Sequence, residues 1–319
     1  MSANLGFAQH HLSEVRDAAE RVRPHIRHTP ALTSDLDPRI VFKAECFQVT
    51  GSFKVRGAFN AVLKLPPGTP GVVTASSGNH AQAVALAART AGIPALILIP
   101  EGANPAKVAA TRALGAEVVS EGITFANRDA KLVEAADRSG YVLVHPYDDW
   151  DVIHGQGTGA LELLADAPDV EAVAIPVGGG GQISGWALAI KATNPTIQVI
   201  GVEPAAADDA FRSFRTGTLQ RLAGPAETIA DGVKTVSLGA RNFEVLVVNG
   251  LMDDIVTVTE REIEQALLTA WLRCKIALEA TGALPLAAFL AGKLPADGRI
   301  GLVLSGGNAD AALVARLLQ

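Results

Sequence analysis

Eight short runs in this chain are apolar without alternating: IVFKAE at 40–45, GVVTA at 71–75, ALILI at 95–99, AEVVS at 116–120, YVLVH at 141–145, AVAIPV at 172–177, IQVIGVE at 197–203 and IGLVLS at 300–305. A strand with one face in water shows a polar residue at every second position, whereas a continuously apolar strand is covered on both faces. Between these runs lie longer Ala- and Leu-rich helical patterns, near 54–65, 79–91, 105–114, 124–138, 153–165, 183–193 and 259–274. Strands joined through helical crossovers build a parallel sheet between helical layers, so the expected fold class is layered α/β.

A chain of 319 residues is long enough for two domains, or for one domain with a large insertion. The strand–helix rhythm is tightest from 71 to 145, and two Pro-Gly clusters in LPPGTPG (65–71) punctuate the chain just before it. We therefore expect a smaller unit at 71–148 set into a larger one made of 1–70 and 149–319.

The formal net charge is −6 with no basic run, which argues against a nucleic-acid partner. The apolar runs are strand-length, too short to cross a bilayer, and the N-terminal stretch lacks a basic start followed by an apolar block. Cys46 and Cys274 lie far apart without metal-ligand spacing, which points to a reducing cytoplasm.

In open α/β sheets, ligands bind beyond the carboxyl ends of the strands, where loops lead into helix N-termini. Three loops here have that position. PVGGGGQISG puts Gly178, Gly179, Gly180 and Gly181 between a strand and a helix, followed by Gln182. Consecutive glycines let backbone N–H groups converge, and the helix dipole adds positive potential, so the loop reads as a phosphate cradle. It lacks the Gly-Lys-Ser/Thr ending of a triphosphatase loop and the GxGxxG pattern of a dinucleotide site. ASSGNHAQAVA offers Ser76, Ser77, Gly78, Asn79 and His80 at a helix start, suited to a carboxylate or equally to capping the helix. LSGGNAD supplies Ser305, a neutral hydroxyl after the last strand and again a candidate cap.

The fourth feature is Lys54, in VTGSFKVRGAFNAV. It follows Phe53 and a tight turn at the mouth of a helix, where the dipole is unfavourable to a cation. Burial and that dipole lower a lysine pKa and supply the free amine that a Schiff base requires. A phosphate cradle, an amine nucleophile, a carboxylate loop and a neutral hydroxyl together are what pyridoxal 5'-phosphate requires.

On these motifs the chain resembles the fold-type II (tryptophan synthase β-like) pyridoxal-phosphate enzymes, specifically the serine/threonine dehydratase and serine racemase group, from RHTPALTS (27–34) to LSGGNAD (304–310). The resemblance implies two layered α/β domains with the cofactor between them and Lys54 carrying it. It places Asn79 at the cofactor's 3'-oxygen, the tetraglycine loop on its phosphate and Ser305 on its ring nitrogen. In GVEPAAADD, Glu203, the Ala207 carbonyl and Asp209 match positions that hold a divalent cation in several relatives, and magnesium or calcium suits such oxygen ligands. The implied activity is β-elimination of water from L-threonine or L-serine. Serine racemisation, with Ser77 as second base, is the alternative, as is dehydration of another hydroxy amino acid such as 3-hydroxyaspartate. A homodimer is implied by the resemblance only.

Overall fold

The computed structural model describes residues 3–103, 105–124, 126–295 and 297–319. Two sheets organise it. The larger has six strands in the order β1-β2-β10-β7-β8-β9, where β1 is Ala31–Thr33, β2 Ile40–Lys43, β7 Ala172–Pro176, β8 Gln198–Pro204, β9 Asp254–Val258 and β10 Ile300–Val303. The smaller has the order β5-β4-β3-β6, where β3 is Val72–Ala75, β4 Ala95–Leu98, β5 Glu117–Val119 and β6 Val142–Leu143. Every pairing is parallel except β1 with β2.

Burial explains why the strands do not alternate. Along β7, Val173 and Ile175 enter one apolar cluster while Ala172 and Ala174 enter another on the opposite face. In the smaller sheet, Ala95 and Ile97 of β4 face one cluster and Leu96 and Leu98 the other. β7 and β4 are thus apolar on both sides because both of their faces are covered.

The helices that matter for the site are α1 (Leu5–Val22), α2 (Lys54–Leu63), α3 (Asn79–Ala91), α4 (Pro105–Ala113), α5 (Arg128–Ser139), α6 (Trp150–Asp166), α7 (Gly181–Thr193) and α8 (Asp209–Thr216). All eight expected strands and seven expected helical patterns have counterparts, with ends shifted by a few residues. The pattern at 124–138 begins its helix at Arg128, and Phe125 within it lies outside the described residues. The pattern at 259–274 is helical over Glu260–Thr269 and then widens into a π turn at Ala270–Cys274.

Sequence reasoning did not anticipate β1, β9, α1 and α8. β1 is a three-residue edge strand, too short to carry a period, and β9 (DIVTV) is only partly buried. α1 is strongly amphipathic: Ala8, Leu12, Val15, Ala18 and Val22 form its buried stripe, three or four residues apart among polar neighbours. α8 buries only Asp209, Ala210 and Ser213, so little apolar signal announces it.

β7 and β10 are parallel neighbours, so the loops leaving their carboxyl ends emerge side by side. One is the glycine loop that opens α7, and the other carries Ser305. The entry to α2 is tied to the second: Phe53 N donates to Ser305 O at 3.1 Å, Gly307 N donates to Gly51 O at 2.9 Å, and Ser52 forms a β-bridge with Gly306. The sheet topology thus delivers Lys54, Ser305 and the glycine loop to one place.

Candidate active site

A cleft is lined by Phe53, Lys54, Gly178, Gly179, Gly180, Gly181, Gln182 and Ser305, all expected from sequence, together with Tyr147 and Thr235. Lys54 is the first residue of α2, and its Nζ donates to Pro146 O at 2.9 Å. The side chain keeps some accessible surface towards the cleft, but protein surrounds the amine closely, and this desolvation pulls its pKa down to about 8. The charge of Glu279 opposes that fall. The chain enters α2 through a strained turn: Thr50 has φ 64° and Gly51 φ 75°, and a Cβ on Gly51 would lie 2.5 Å from Asn308 Oδ1.

The glycine loop is crowded rather than slack. A Cβ on Gly179 would fall 2.4 Å from the Tyr147 ring, and Gly180 has φ 93°, which side chains rarely adopt. Asn242 Nδ2 donates to Gly179 O at 2.8 Å and Gly239 N donates to the same carbonyl at 3.0 Å, fixing the loop from behind. The amides entering the 13-residue α7 are left pointing at the cleft side, the geometry of an anion cradle.

Three buried polar atoms of the cleft have no hydrogen-bond partner among the described residues: Ser305 Oγ, Gln182 Nε2 and Thr235 Oγ1. Buried polar atoms are almost always paired, so orphans gathered around a glycine cradle mark the place of a polar ligand. A neutral hydroxyl, a glycine cradle and an amine of lowered pKa in one cleft fit the needs of pyridoxal phosphate, which would find a hydroxyl in Ser305, an anion site in the glycines and an amine in Lys54.

The carboxylate loop is arranged differently from the cleft lining. Ser77 is exposed at the entry to α3, and Ser76 Oγ accepts from Gly78 N at 3.3 Å. Asn79 opens α3; its Nδ2 donates to both carboxylate oxygens of Glu279, at 2.8 and 3.1 Å, and its Oδ1 accepts from Asn308 Nδ2 at 2.8 Å. His80 is buried with Nε2 towards Val144 O at 3.2 Å, and desolvation pushes its pKa down to about 3, so the ring stays neutral. Its Nε2 faces the Val144 carbonyl, and its Nδ1 is buried without a partner among the described residues.

Glu203, Ala207 and Asp209 sit apart from the cleft, where β8 runs into α8. Glu203 accepts from Ala210 N at 3.1 Å and Phe211 N at 2.8 Å, capping α8, while Asp209 Oδ2 is buried without a partner among the described residues. Desolvation holds the Glu203 carboxyl well above its usual range, with Asp209 adding to the rise, and pushes Asp209 up to about 7. Among the described residues no three His, Cys, Asp or Glu side chains form a metal-sized group, so a cation here would rest on two carboxylates, a carbonyl and water.

Sequence reasoning missed Glu279, Asn308, Tyr147 and Thr235. Glu279 left a readable trace: it is a lone charge inside the apolar run IALEATGALPLAA, where a buried carboxylate needs partners. The other three carry no local signal, because only the fold brings them to the cleft.

Residues 22–306 match the family model described as pyridoxal-phosphate dependent enzyme. The chain is 42% identical to a serine racemase of Arabidopsis thaliana over 97% of its own length and 96% of the relative's. It is 41% identical to an L-threo-3-hydroxyaspartate ammonia-lyase of Saccharomyces cerevisiae, covering 96% of this chain and 95% of that one. A solved structure of a T.th. threonine deaminase superposes with a TM-score of 0.89 at 46% identity, over 94% of this chain and 98% of the other. No helix among the described residues is long and apolar enough to cross a membrane.

Proposed function

This chain belongs to the pyridoxal-phosphate dependent enzymes, and from that premise we propose that it is an L-threonine/L-serine ammonia-lyase, eliminating water to release an enamine whose imine tautomer takes up water to give a 2-oxo acid and ammonia. The observation that carries this reading is Ser305, a buried neutral hydroxyl in the cleft without a partner among the described residues. When bound, pyridoxal phosphate supplies an aldehyde for the substrate amine and a conjugated ring that accepts the electron pair left at Cα.

The remaining work falls to side chains of the protein. Ser305 offers the ring nitrogen a hydroxyl instead of a carboxylate, which keeps the electron sink weak and favours loss of the β-hydroxyl over transamination. Lys54 Nζ, with a pKa of about 8, is unprotonated in a useful fraction near neutrality and can take the Cα proton. The N–H groups of Gly178 to Gly181 and the α7 dipole hold the phosphate. Ser76, Ser77, Gly78, Asn79 and the His80 backbone receive the substrate carboxylate at the α3 N-terminus.

Incubation with L-serine, L-threonine and 3-hydroxyaspartate, with 2-oxo acid and D-enantiomer both assayed, tests the reading. The expected result is 2-oxo acid from L-threonine and L-serine in excess over any D-enantiomer. A dominant D-serine product, or turnover confined to 3-hydroxyaspartate, would overturn it. Racemisation is the second reading, favoured by the exposed Ser77 hydroxyl at the α3 entry. Replacing Ser77 with Ala should then suppress D-enantiomer far more than 2-oxo acid, whereas equal losses assign Ser77 to carboxylate binding.

Three further parts belong to the same proposal. Glu203, the Ala207 carbonyl and Asp209 hold a divalent cation, supported by the crowding of two buried carboxylates. Residues 71–148 form a small substrate-loop unit against a large cofactor-binding unit of 1–70 and 149–319. The protein works as a cytoplasmic homodimer, on the strength of the family resemblance.

A further inference from the structure

Glu279 is the buried charge at the site that the elimination chemistry above does not use. Its backbone N donates to Gly306 O at 3.1 Å, and a Cβ on Gly306 would lie 2.3 Å from Glu279 Oε1. Only glycine beside Ser305 leaves room for this carboxylate. The polar chain that ends on it has one direction. Thr50 O can only accept, so Asn308 must turn its amide nitrogen to it, at 2.8 Å. The same nitrogen then meets Asn79 Oδ1 at 2.8 Å, which leaves Asn79 Nδ2 facing Glu279. An amide nitrogen carries two hydrogens, so Asn79 retains a second N–H for a ligand.

Charged groups face Glu279 from every side. Lys54 on α2 and Lys107 on α4 draw its pKa down, while Asp231 in the 231–233 turn pushes it up. The Cys46 thiol, in the 45–47 turn, feels the Glu279 charge in turn. Desolvation outweighs these and brings the Glu279 carboxyl up to about 7. Glu279 is also the charge that supports the proton on Lys54 against desolvation.

We propose that Glu279 is a positioning residue that fixes the Asn79 amide towards the cofactor and serves as counter-charge for the proton on the nitrogen at position 54. The proposal rests on Lys54 being the cofactor lysine but not on which amino acid is turned over. Its consequence is an acid-side control: as Glu279 takes up a proton near neutrality, Asn79 donates to a neutral carboxyl instead of a charged one and its clamp weakens, while position 54 loses its counter-charge.

The test is a pH titration of the visible spectrum of the cofactor-loaded protein, read without substrate. Glu279→Gln keeps the shape and removes the charge, so the alkaline midpoint at which position 54 loses its proton should fall by about half a pH unit or more. A loaded Glu279→Gln protein with the parent midpoint overturns the proposal. Should that variant fail to fold, the half-exposed Asp231 provides a milder one. Asp231→Asn removes a charge that pushes Glu279 up, so the acid-side spectral step should move to lower pH, and an unmoved step overturns the proposal. Failure of the substrate assays with these shifts intact would sink the ammonia-lyase reading and leave the role of Glu279 standing.

Discussion

Two buried polar clusters hang from the same helix, and they are built in opposite ways. Lys54, at the start of α2, faces a cleft where Ser305, Gln182 and Thr235 leave polar atoms unpaired. Arg56, two residues on, is fully buried in a network with nothing left over. Its guanidinium donates to Glu45 through Nε and Nη2, both at 2.8 Å, and to Glu162 through Nη1 and Nη2, both at 2.7 Å. Lys43 Nζ adds a 2.7 Å bond to Glu162 and a 2.6 Å bond to Thr29 O. The Arg56 cluster spends its charges on itself and fixes α2; the Lys54 cluster keeps its polar atoms open for a ligand. Burial alone does not separate a structural polar group from a functional one; what marks the cleft is that three unpaired atoms line one cavity beside the glycine loop, whereas others, such as Thr74 Oγ1 and Ser184 Oγ, lie outside it.

The largest test of this contrast is Lys54→Ala. The single hydrogen bond lost is the one to Pro146 O, so the melting temperature of the cofactor-free protein should hardly change, while turnover falls by more than about 10³-fold. Retained turnover would remove Lys54 from the chemistry. Arg56→Met reverses the pattern. It leaves Glu45 buried without its cation and Glu162 with Lys43 alone, and should cost about 3–5 kcal/mol in denaturant unfolding. If Arg56→Met were as stable as the parent, the network would not be what anchors α2.

The same contrast explains how far the sequence could be read. Continuous apolar runs made β2, β3, β4, β7, β8 and β10 legible, and also the more exposed β5 and β6, whereas the three-residue β1 and the polar-interrupted β9 carry no such run. Lys54, the glycine loop and Ser305 were legible because each breaks a local rule: a lysine at a helix mouth, four glycines in a row, a polar residue after a buried strand. Glu279, Asn308, Tyr147 and Thr235 break no local rule strongly enough, since their meaning depends on contacts between segments up to 258 positions apart, as in Asn308 with Thr50. Arg56 shows the converse limit. In sequence it is an ordinary helix residue, and only the fold reveals that it is completely enclosed.

Glu203 and Asp209 form an intermediate case, one carboxylate satisfied by helix N–H groups and the other partly orphaned. Both prefer their protons in the folded chain. The contribution of Asp209 to stability is therefore complete below the ordinary aspartate value of 3.8 and is lost as pH rises through about 7, and burial shifts Glu203 in the same direction. In chelator, thermal stability should decline over that window, by an amount on the order of a few kcal/mol, and magnesium or calcium should restore it most strongly at the upper end. A flat pH profile that ignores both chelator and cation would make the pair a helix cap and nothing more.

Ser305→Ala gives the smallest effect and the sharpest comparison with Arg56. Because Ser305 Oγ has no partner among the described residues, removing it from the cofactor-free protein breaks no bond, and stability should stay level or rise slightly. With cofactor present the same hydroxyl would be one hydrogen bond, worth about 1 kcal/mol, so cofactor affinity should weaken by about five- to tenfold. A substitution that is silent in the empty protein and visible in the loaded one is the signature of a group held open for a ligand. If Ser305→Ala instead destabilised the empty protein, its hydroxyl would already be engaged, and the distinction between the two clusters on α2 would fail at its simplest point.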